Sequence, residues 1–525
     1  MAKKLHWVFW MLIVSMIVMT ACAKNSNAPS SSRSTDSKET LTIAIAADPG
    51  TLDPAVSMDN SSWKITYSAY ERLVQFNKDS TEVKPDLARS WSVSTDGKKW
   101  TFLLNSGHKF ADGTSVNAQA VKYSFDRLLK IAKGPSAVYG IIDTIKTSGN
   151  NKVIFTLKKS FPPFLSTLAA NYGSIVNPEV AKKAKNDDQG QGYLASHTMG
   201  SGPYRLTSWN KGQSLQLHVN KHYNKKLMLK KIVFKIVSDS SAQKLQLKNG
   251  TVDIAENIPT EQLKDIKSMK NVTLLQKPSL LVDYVYINTN NGNALLKNKK
   301  VRQALNEAID KKSLIDAVQQ GYATNLHAPI PKGLWGYDAS IKGYAYRLNH
   351  AKQLLKSAHA TDLNLTLLYS DNSQWWGTEA LTIQSELKQA GVRVKLNKVA
   401  YATSRNMMDE GKFDLALGVW SPDFADPFAF MNYWYDSRNG GLAGNRSFYK
   451  NAEVDQMLRE AATSNNHAKR EKLYNQTQKI VVDDAPYILL YQKDFLLPIS
   501  KNVTGFVFNP MLQGMYNFDE MSKSK

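Results

Sequence analysis

Apolar and polar residues alternate in LTIAIA at 41–46, the period-two pattern of a strand with one buried face. Two Asp-Pro steps in the following ADPGTLDPAVSMDNSSW end it. In WSVSTDGKKWTFLL at 91–104, β-rich arms flank Asp96-Gly97, which predicts a hairpin closed by a tight primed turn. Asn117 then stands as an N-cap before Val121, Phe125, Leu128 and Leu129, the apolar stripe of a helix. Gly200 and Gly202, just before Pro203, predict a turn between two β segments. Apolar residues at 301, 304, 305, 308 and 309 make one helical face, and Asp310 caps a following helix that carries Leu314, Ile315 and Val318.

From 363 onward the pattern reads β–α–β–α–β. A strand at 363–369 precedes a helix with apolar period Leu381, Gln384, Leu387 and Ala390, stopped by Gly391. A strand at 392–396 follows, then a short helix at 403–410 stopped by Gly411, then a buried strand at 413–420. Helices are predicted at 454–462 and 472–482, and YILLYQ at 487–492 reads as a last strand. Alternating strands and helices predict an α/β lobe whose ligand binds beyond the strand ends.

The N-terminus changes the picture. Lys3 and Lys4 precede the apolar run WVFWMLIVSMIVM at 7–19, which is shorter than the roughly 20 residues of a spanning helix and suits a signal peptide. The run ends at Met19-Thr20-Ala21-Cys22, and Cys22 is the one cysteine of 525 residues, so no disulfide framework is available. This end resembles the lipobox of bacterial lipoproteins. The resemblance implies a signal at 1–21, cleavage before Cys22, and acylation of its thiol, palmitate included. The Ser/Asn-rich stretch at 22–39 reads as a flexible tether. An exported, lipid-anchored protein on the outer face of a bacterial cell membrane, of the Gram-positive kind, is the expectation. The formal net charge of +22 comes from dispersed lysines and no nucleic-acid module is present; the basic surface suits anionic lipid or cell-wall polymer rather than nucleic acid.

The segment ARSWSVSTDGKKWTFLLNSGHKFADGTSVNAQAVKYSFDRL at 88–128 closely resembles extracellular solute-binding protein family 5, the large lipoproteins that feed peptides to ABC importers. GSGPY at 200–204, YINTNN from 286 and KKVRQALNEAIDKKSL from 299 resemble that family's next landmarks, in order. The resemblance implies a two-lobed periplasmic-binding-protein-like α/β fold. Lobe one is expected at 40–282, with an inserted subdomain at about 59–199. Lobe two is expected at 283–489, with the tail at 490–525 returning to lobe one and hinges near 279–284 and 487–491. It further implies a monomer that captures peptides, oligopeptides above all, and delivers them to the permease and ATPase subunits of an ABC transporter.

One stretch is chemically specific. GVWSPDFADPFAF at 418–430 places Asp423 and Asp426 where a buried strand has just ended. On its residues alone Asp423 reads as a turn former, and Asp426 reads as a turn or helix cap before Pro427. The resemblance implies instead that Asp423 receives the α-ammonium group of a peptide, with Trp420 and Phe424 excluding water. It also points to Asn60, Ser61 and Trp63 as the lobe-one lining. Trp375 and Trp376 read as side-chain pocket walls or as core, and Arg446 as a carboxylate partner or a structural arginine. Dipeptide-specific relatives carry an arginine after the 363 strand; none lies between 363 and 391, which favours longer peptides held through backbone bonds.

Other classes fit less well. Neither HExxH nor G-x-S-x-G occurs, so no enzyme, and in particular no peptidase, is expected. The nine histidines are dispersed, with His218 and His222 in a strand-then-turn context, so no metal and no cofactor are expected; a nickel or haem carrier on the same scaffold is the alternative. A receptor for signalling peptides would use the same cleft.

Overall fold

The computed structural model describes residues 38–371 and 373–524. Cys22, the signal and most of the tether lie outside the described residues. Two long strands, Val272–Ile287 and Tyr487–Ser500, run antiparallel and organise the rest. At one end Val272–Ile287 pairs with Leu415–Trp420, which lies parallel to Asn364–Ser370, itself parallel to Arg393–Val399. Parallel neighbours need crossovers, and helices Trp376–Gln389 and Tyr401–Asp409 supply them. At the other end Tyr487–Ser500 leads through Ile254–Ala255 to Thr40–Ile45, Lys231–Ile236, Ser214–Val219 and Tyr204–Asn210. One eleven-stranded sheet therefore runs through both ends.

Between the two ends the ladder breaks. Pro278 pairs with Asp494 and Val282 with Gln492, so the three residues at 279–281 face Lys493 alone, a bulge. Side chains take over the freed backbone groups. The Ser279 hydroxyl donates to the Lys493 carbonyl at 2.8 Å, and the Gln492 amide donates to the carbonyls of Ser279 and Lys332. The chain thus crosses between two groups of strands where regular pairing is weakest, which is where a hinge bends at least cost.

A separate four-stranded sheet holds the hairpin Ala88–Val93 and Lys99–Leu104, with Lys152–Leu157 and Ile142–Ser148 beyond it. Helix Ala118–Ile131 covers it; Asn117 accepts from the Ala120 N–H, and Phe125 meets Phe155 edge-on at 5.1 Å. One hydrophobic cluster runs from Phe102 and Phe155 of this sheet and Phe125 of its helix to Tyr284 and Tyr487 of the long strands and Trp434 beside them, so the two halves are closed on one another. A second cluster fills the opposite face of the 415–420 strand, and a third lies under Thr40–Ile45.

Four sequence expectations are corrected. In helix Trp376–Gln389 the inward face is Trp376, Ala380, Ile383 and Leu387, whereas Leu381 is 59% exposed. Gly200 and Gly202 do not join two strands. They let the backbone lie against the end of helix Asn60–Ala69, where a Cβ would come within 2.1 Å of the Ala69 carbonyl or 2.5 Å of that of Ser68. The final helix spans His467–Asp484, starting a turn earlier than its apolar period, with Asn466 accepting from the Lys469 N–H. The last strand continues well past Gln492, to Ser500, because it pairs first with one half and then with the other.

Candidate functional site

The 415–420 strand delivers Trp420 to the junction of the halves, and the chain then leaves as Ser421-Pro422-Asp423. Two anchors flank Asp423. On one side Phe424 is fully buried and packs on Phe161 of the first half and on Phe428. On the other, Asp426 accepts from the Phe428 N–H at 2.9 Å, starting helix Phe428–Tyr435, and grips Arg470 through both guanidinium nitrogens at 2.7 and 2.9 Å. Both members of that pair are buried, which makes it geometrically demanding.

Asp423 itself is differently placed. Its backbone carbonyl accepts from the Tyr172 hydroxyl of the first half. Its carboxylate makes no hydrogen bond or ion pair among the described residues. Burial alone pushes its pKa up to about 6. A carboxylate removed from water without a counter-charge is unfavourable, and an incoming cation relieves that.

Asp423, Pro422 and Ser421 line a cavity of about 60 Å³ whose other walls come from distant segments: Asn60, Trp63 and Phe76, then 170–172, then 510–513 and Met515 of the tail. Helix Asn60–Ala69 is aimed by its cap, since the Asp59 carboxylate accepts from the Ser62 N–H at 2.8 Å. This turns Trp63 inward, where its ring edge meets Tyr172 at 6.2 Å and its indole N–H donates to the Ser57 carbonyl. Asn171 is only 3% exposed; its Oδ1 lies 3.0 Å from the Thr66 hydroxyl, and its Nδ2 has no partner. The space suits a few waters.

Of the residues singled out in the sequence, Asn60, Trp63 and Asp423 meet in this cavity. Ser61 and Trp420 are neighbours in sequence but not wall residues; the Trp420 indole N–H is buried and unbonded. Phe424 supports the loop from behind. Of the two readings of Trp376, pocket wall or core, the structure matches the core: it is 4% exposed in the second hydrophobic cluster. Arg446 is not at this cavity. It is buried, donates to the Tyr286 hydroxyl at 2.7 Å and leaves its Nε unpartnered. Asn171, Tyr172 and the tail at 510–515 were not singled out; nothing in AANYGS or in the tail sequence signals them, because the cavity is made by long-range folding.

Trp375 belongs to a second polar cluster beside the bulge. Its indole N–H donates to Asp283 at 2.8 Å, while the Lys493 ammonium stands 3.2 Å over its ring. Glu379, also fully buried, accepts from the Tyr491 hydroxyl. Burial pushes Asp283 up to about 6 although Lys493 pulls it down, and burial with the Asp283 charge pushes Glu379 well up. No group of three or more His, Cys, Asp or Glu is placed to hold a metal ion among the described residues. No helix among them is long and apolar enough to cross a membrane.

Two halves joined by paired strands and closed over a cavity that holds an unneutralised carboxylate define a hinged ligand-binding protein. The chain belongs to the bacterial extracellular solute-binding proteins, family 5, whose model matches residues 82–441. It is 46% identical to the probable D,D-dipeptide-binding periplasmic protein DdpA of Escherichia coli K12, over 93% of this chain and 95% of the relative. It is 30% identical to heme-binding protein A of Haemophilus influenzae, over 95% and 96% of the two chains. Among solved structures it resembles the periplasmic binding protein DppA of Helicobacter pylori in complex with the peptide STSA, with a TM-score of 0.78 and 27% identity over 93% of this chain and 99% of that one.

Proposed function

We propose that this protein captures short peptides by their free amino end and passes them to the permease and ATPase subunits of an ABC importer. The observation that carries the reading is Asp423, a half-buried carboxylate with no partner among the described residues, on the wall of the interlobe cavity. A peptide ammonium supplies the missing charge, and a charge-assisted bond there contributes about 1.5–3 kcal/mol. The aromatic wall at Trp63 and Tyr172 offers contact that does not depend on side-chain identity. The names of the DdpA and DppA relatives support a peptide ligand, and the dipeptide in the DdpA name favours a short one over the longer peptides expected from the missing arginine. The haem-binding relative suggests another cargo, yet no histidine or cysteine lines this cavity. Acylation of Cys22 would hold the protein at the outer face of the cell membrane, its second half free to close on the first.

Mass spectrometry of molecules released from the purified protein, with calorimetry on free and N-acetylated dipeptide pairs, tests the reading. Free-amine peptides should bind and acetylated ones should not. Equal binding of both forms, or binding only of a porphyrin or a metal chelate, refutes it.

A further inference from the structure

A second group on the cavity wall is as unusual as Asp423. Asn171 opens the short turn Asn171–Gly173, next to Tyr172, which bonds the Asp423 backbone. Its side chain is almost fully buried, lines the cavity, and has one amide end without a partner. Buried amide groups are nearly always bonded, so an unbonded amide end on a residue that lines a cavity calls for a partner. The other end is held. The Thr66 hydroxyl lies 3.0 Å from Asn171 Oδ1 and 3.1 Å from the Ser62 carbonyl, on the helix that also carries Trp63.

We propose that Asn171 is a ligand-binding residue that donates from Nδ2 to the first carbonyl oxygen of a bound peptide. The inference rests on the peptide reading above and adds the second contact point. The leading residue of any peptide carries a cationic donor and a carbonyl acceptor three bonds apart. A receptor for it needs one acceptor and one donor close together. Asp423 is the acceptor, and with the single Thr66 proton given to Asn171 Oδ1 rather than to the Ser62 carbonyl, Asn171 Nδ2 is the donor. Both groups belong to the common backbone of peptides, so the pair recognises the peptide end without reading side chains. They come from opposite halves, so the ligand itself bridges the closure.

The test is calorimetry with L-Ala-L-Ala and D-Ala-D-Ala, each compared with its thioamide at the first carbonyl. Sulfur is a poorer acceptor in nearly the same shape. The wild type should bind whichever dipeptide it prefers about three- to tenfold more tightly than the thioamide, the range of one neutral hydrogen bond. Asn171→Ala and Asn171→Ser should lose a similar factor on the parent peptide and no longer distinguish it from the thioamide. Melting curves without ligand identify a variant that fails to fold, and the second substitution and the wild-type comparison then decide. Variants that still discriminate fully, or a wild type that never does, overturn the assignment. A wild type that binds neither dipeptide but binds free-amine tetrapeptides such as Ser-Thr-Ser-Ala moves the thioamide comparison to that peptide, with the same criteria. Binding of no peptide at all overturns the peptide reading and this assignment with it.

Discussion

The hydroxyl of Tyr172 donates to the backbone carbonyl of Asp423, tying the first half of the protein to the second across 251 positions of sequence. Tyr172 is 2% exposed and is backed by Trp63 at 6.2 Å and Tyr139 at 5.9 Å, so its hydroxyl is aimed rather than free. The bond exists only when the halves are closed, and it fixes the residue that carries the unpaired carboxylate. Closure and ligand placement therefore depend on the same contact.

Tyr172→Phe should keep both halves folded while weakening the closed state. Loss of one hydrogen bond predicts a threefold to tenfold lower affinity for a free-amine peptide, from a term of about 0.5–1.5 kcal/mol. Solution scattering of the unliganded variant should show a larger radius of gyration than the wild type. An unchanged affinity would mean that closure does not use this contact.

Ligand affinity should depend on pH through Asp423. Its pKa of about 6 without ligand means that an ammonium must displace a proton once the pH drops below that value. Affinity should therefore be level near neutral pH and fall by about tenfold per unit well below pH 6. Above about pH 8 it should fall again as the peptide's own amine loses its charge. Asp423→Asn should lower affinity by about 2–5 kcal/mol, since it removes one member of a buried charge pair, and should abolish the acid limb. Calorimetric titrations from pH 5 to 9 check both statements.

Stability without ligand should move the opposite way. Burial raises Asp86, Asp283 and Asp423 to about 6 and Glu386 to about 7 in the folded protein. Unfolded carboxyl groups hold their protons only near pH 4, so between pH 4 and 7 the folded state binds more protons. These groups therefore make the protein more stable as pH falls from 7 towards about 5. Asp436 acts later. Burial pushes it up, but bonds from Arg438 and Arg459 win and hold it at about 2, so its contribution is lost only as pH falls below about 4. Melting temperature should peak between about pH 4 and 5.5, and Asp283→Asn should flatten the rise from neutral pH. A peak above pH 7 would contradict this.

Local patterns made much of the fold readable, and long-range ones hid the site. The alternation at 41–46, the Asp96-Gly97 hairpin and the Asn117 cap are each decided within a few residues and form at their expected places. The hairpin, however, closes through a four-residue loop at 95–98 with only Gly97 at positive φ, not through the primed turn expected. Helix Trp376–Gln389 was misread because Leu381, Gln384, Leu387 and Ala390 step by three and drift around the axis. The true face, 376, 380, 383 and 387, keeps the 3.6-residue period. Asp423 was singled out by its motif and lies on the cavity wall. Asn171, Tyr172 and the tail were not, since a cavity wall built from 60–76, 170–172, 421–423 and 510–515 has no local signature. Arg446 and Trp375 each carried a ligand reading and a structural one because exposure cannot be read from sequence; in the structure they bond Tyr286 and Asp283.

Arg470 was equally invisible, yet the position of Asp423 depends on it. The guanidinium holds both oxygens of Asp426, sits 5.0 Å over the Trp335 ring, and donates from Nε to the Ala461 carbonyl. Removing the arginine alone leaves a buried carboxylate unpaired, so Arg470→Ala should destabilise the protein by about 3–5 kcal/mol in urea unfolding. Replacing both partners, Asp426→Asn with Arg470→Met, removes the stranded charge and should recover much of that loss. The double variant should still bind peptides more weakly than the wild type, because the loop that presents Asp423 then keeps Phe424 and the Tyr172 bond but loses its tie to Arg470. If the double variant regains full affinity as well as stability, the pair supports the helix alone and not the carboxylate three residues before it.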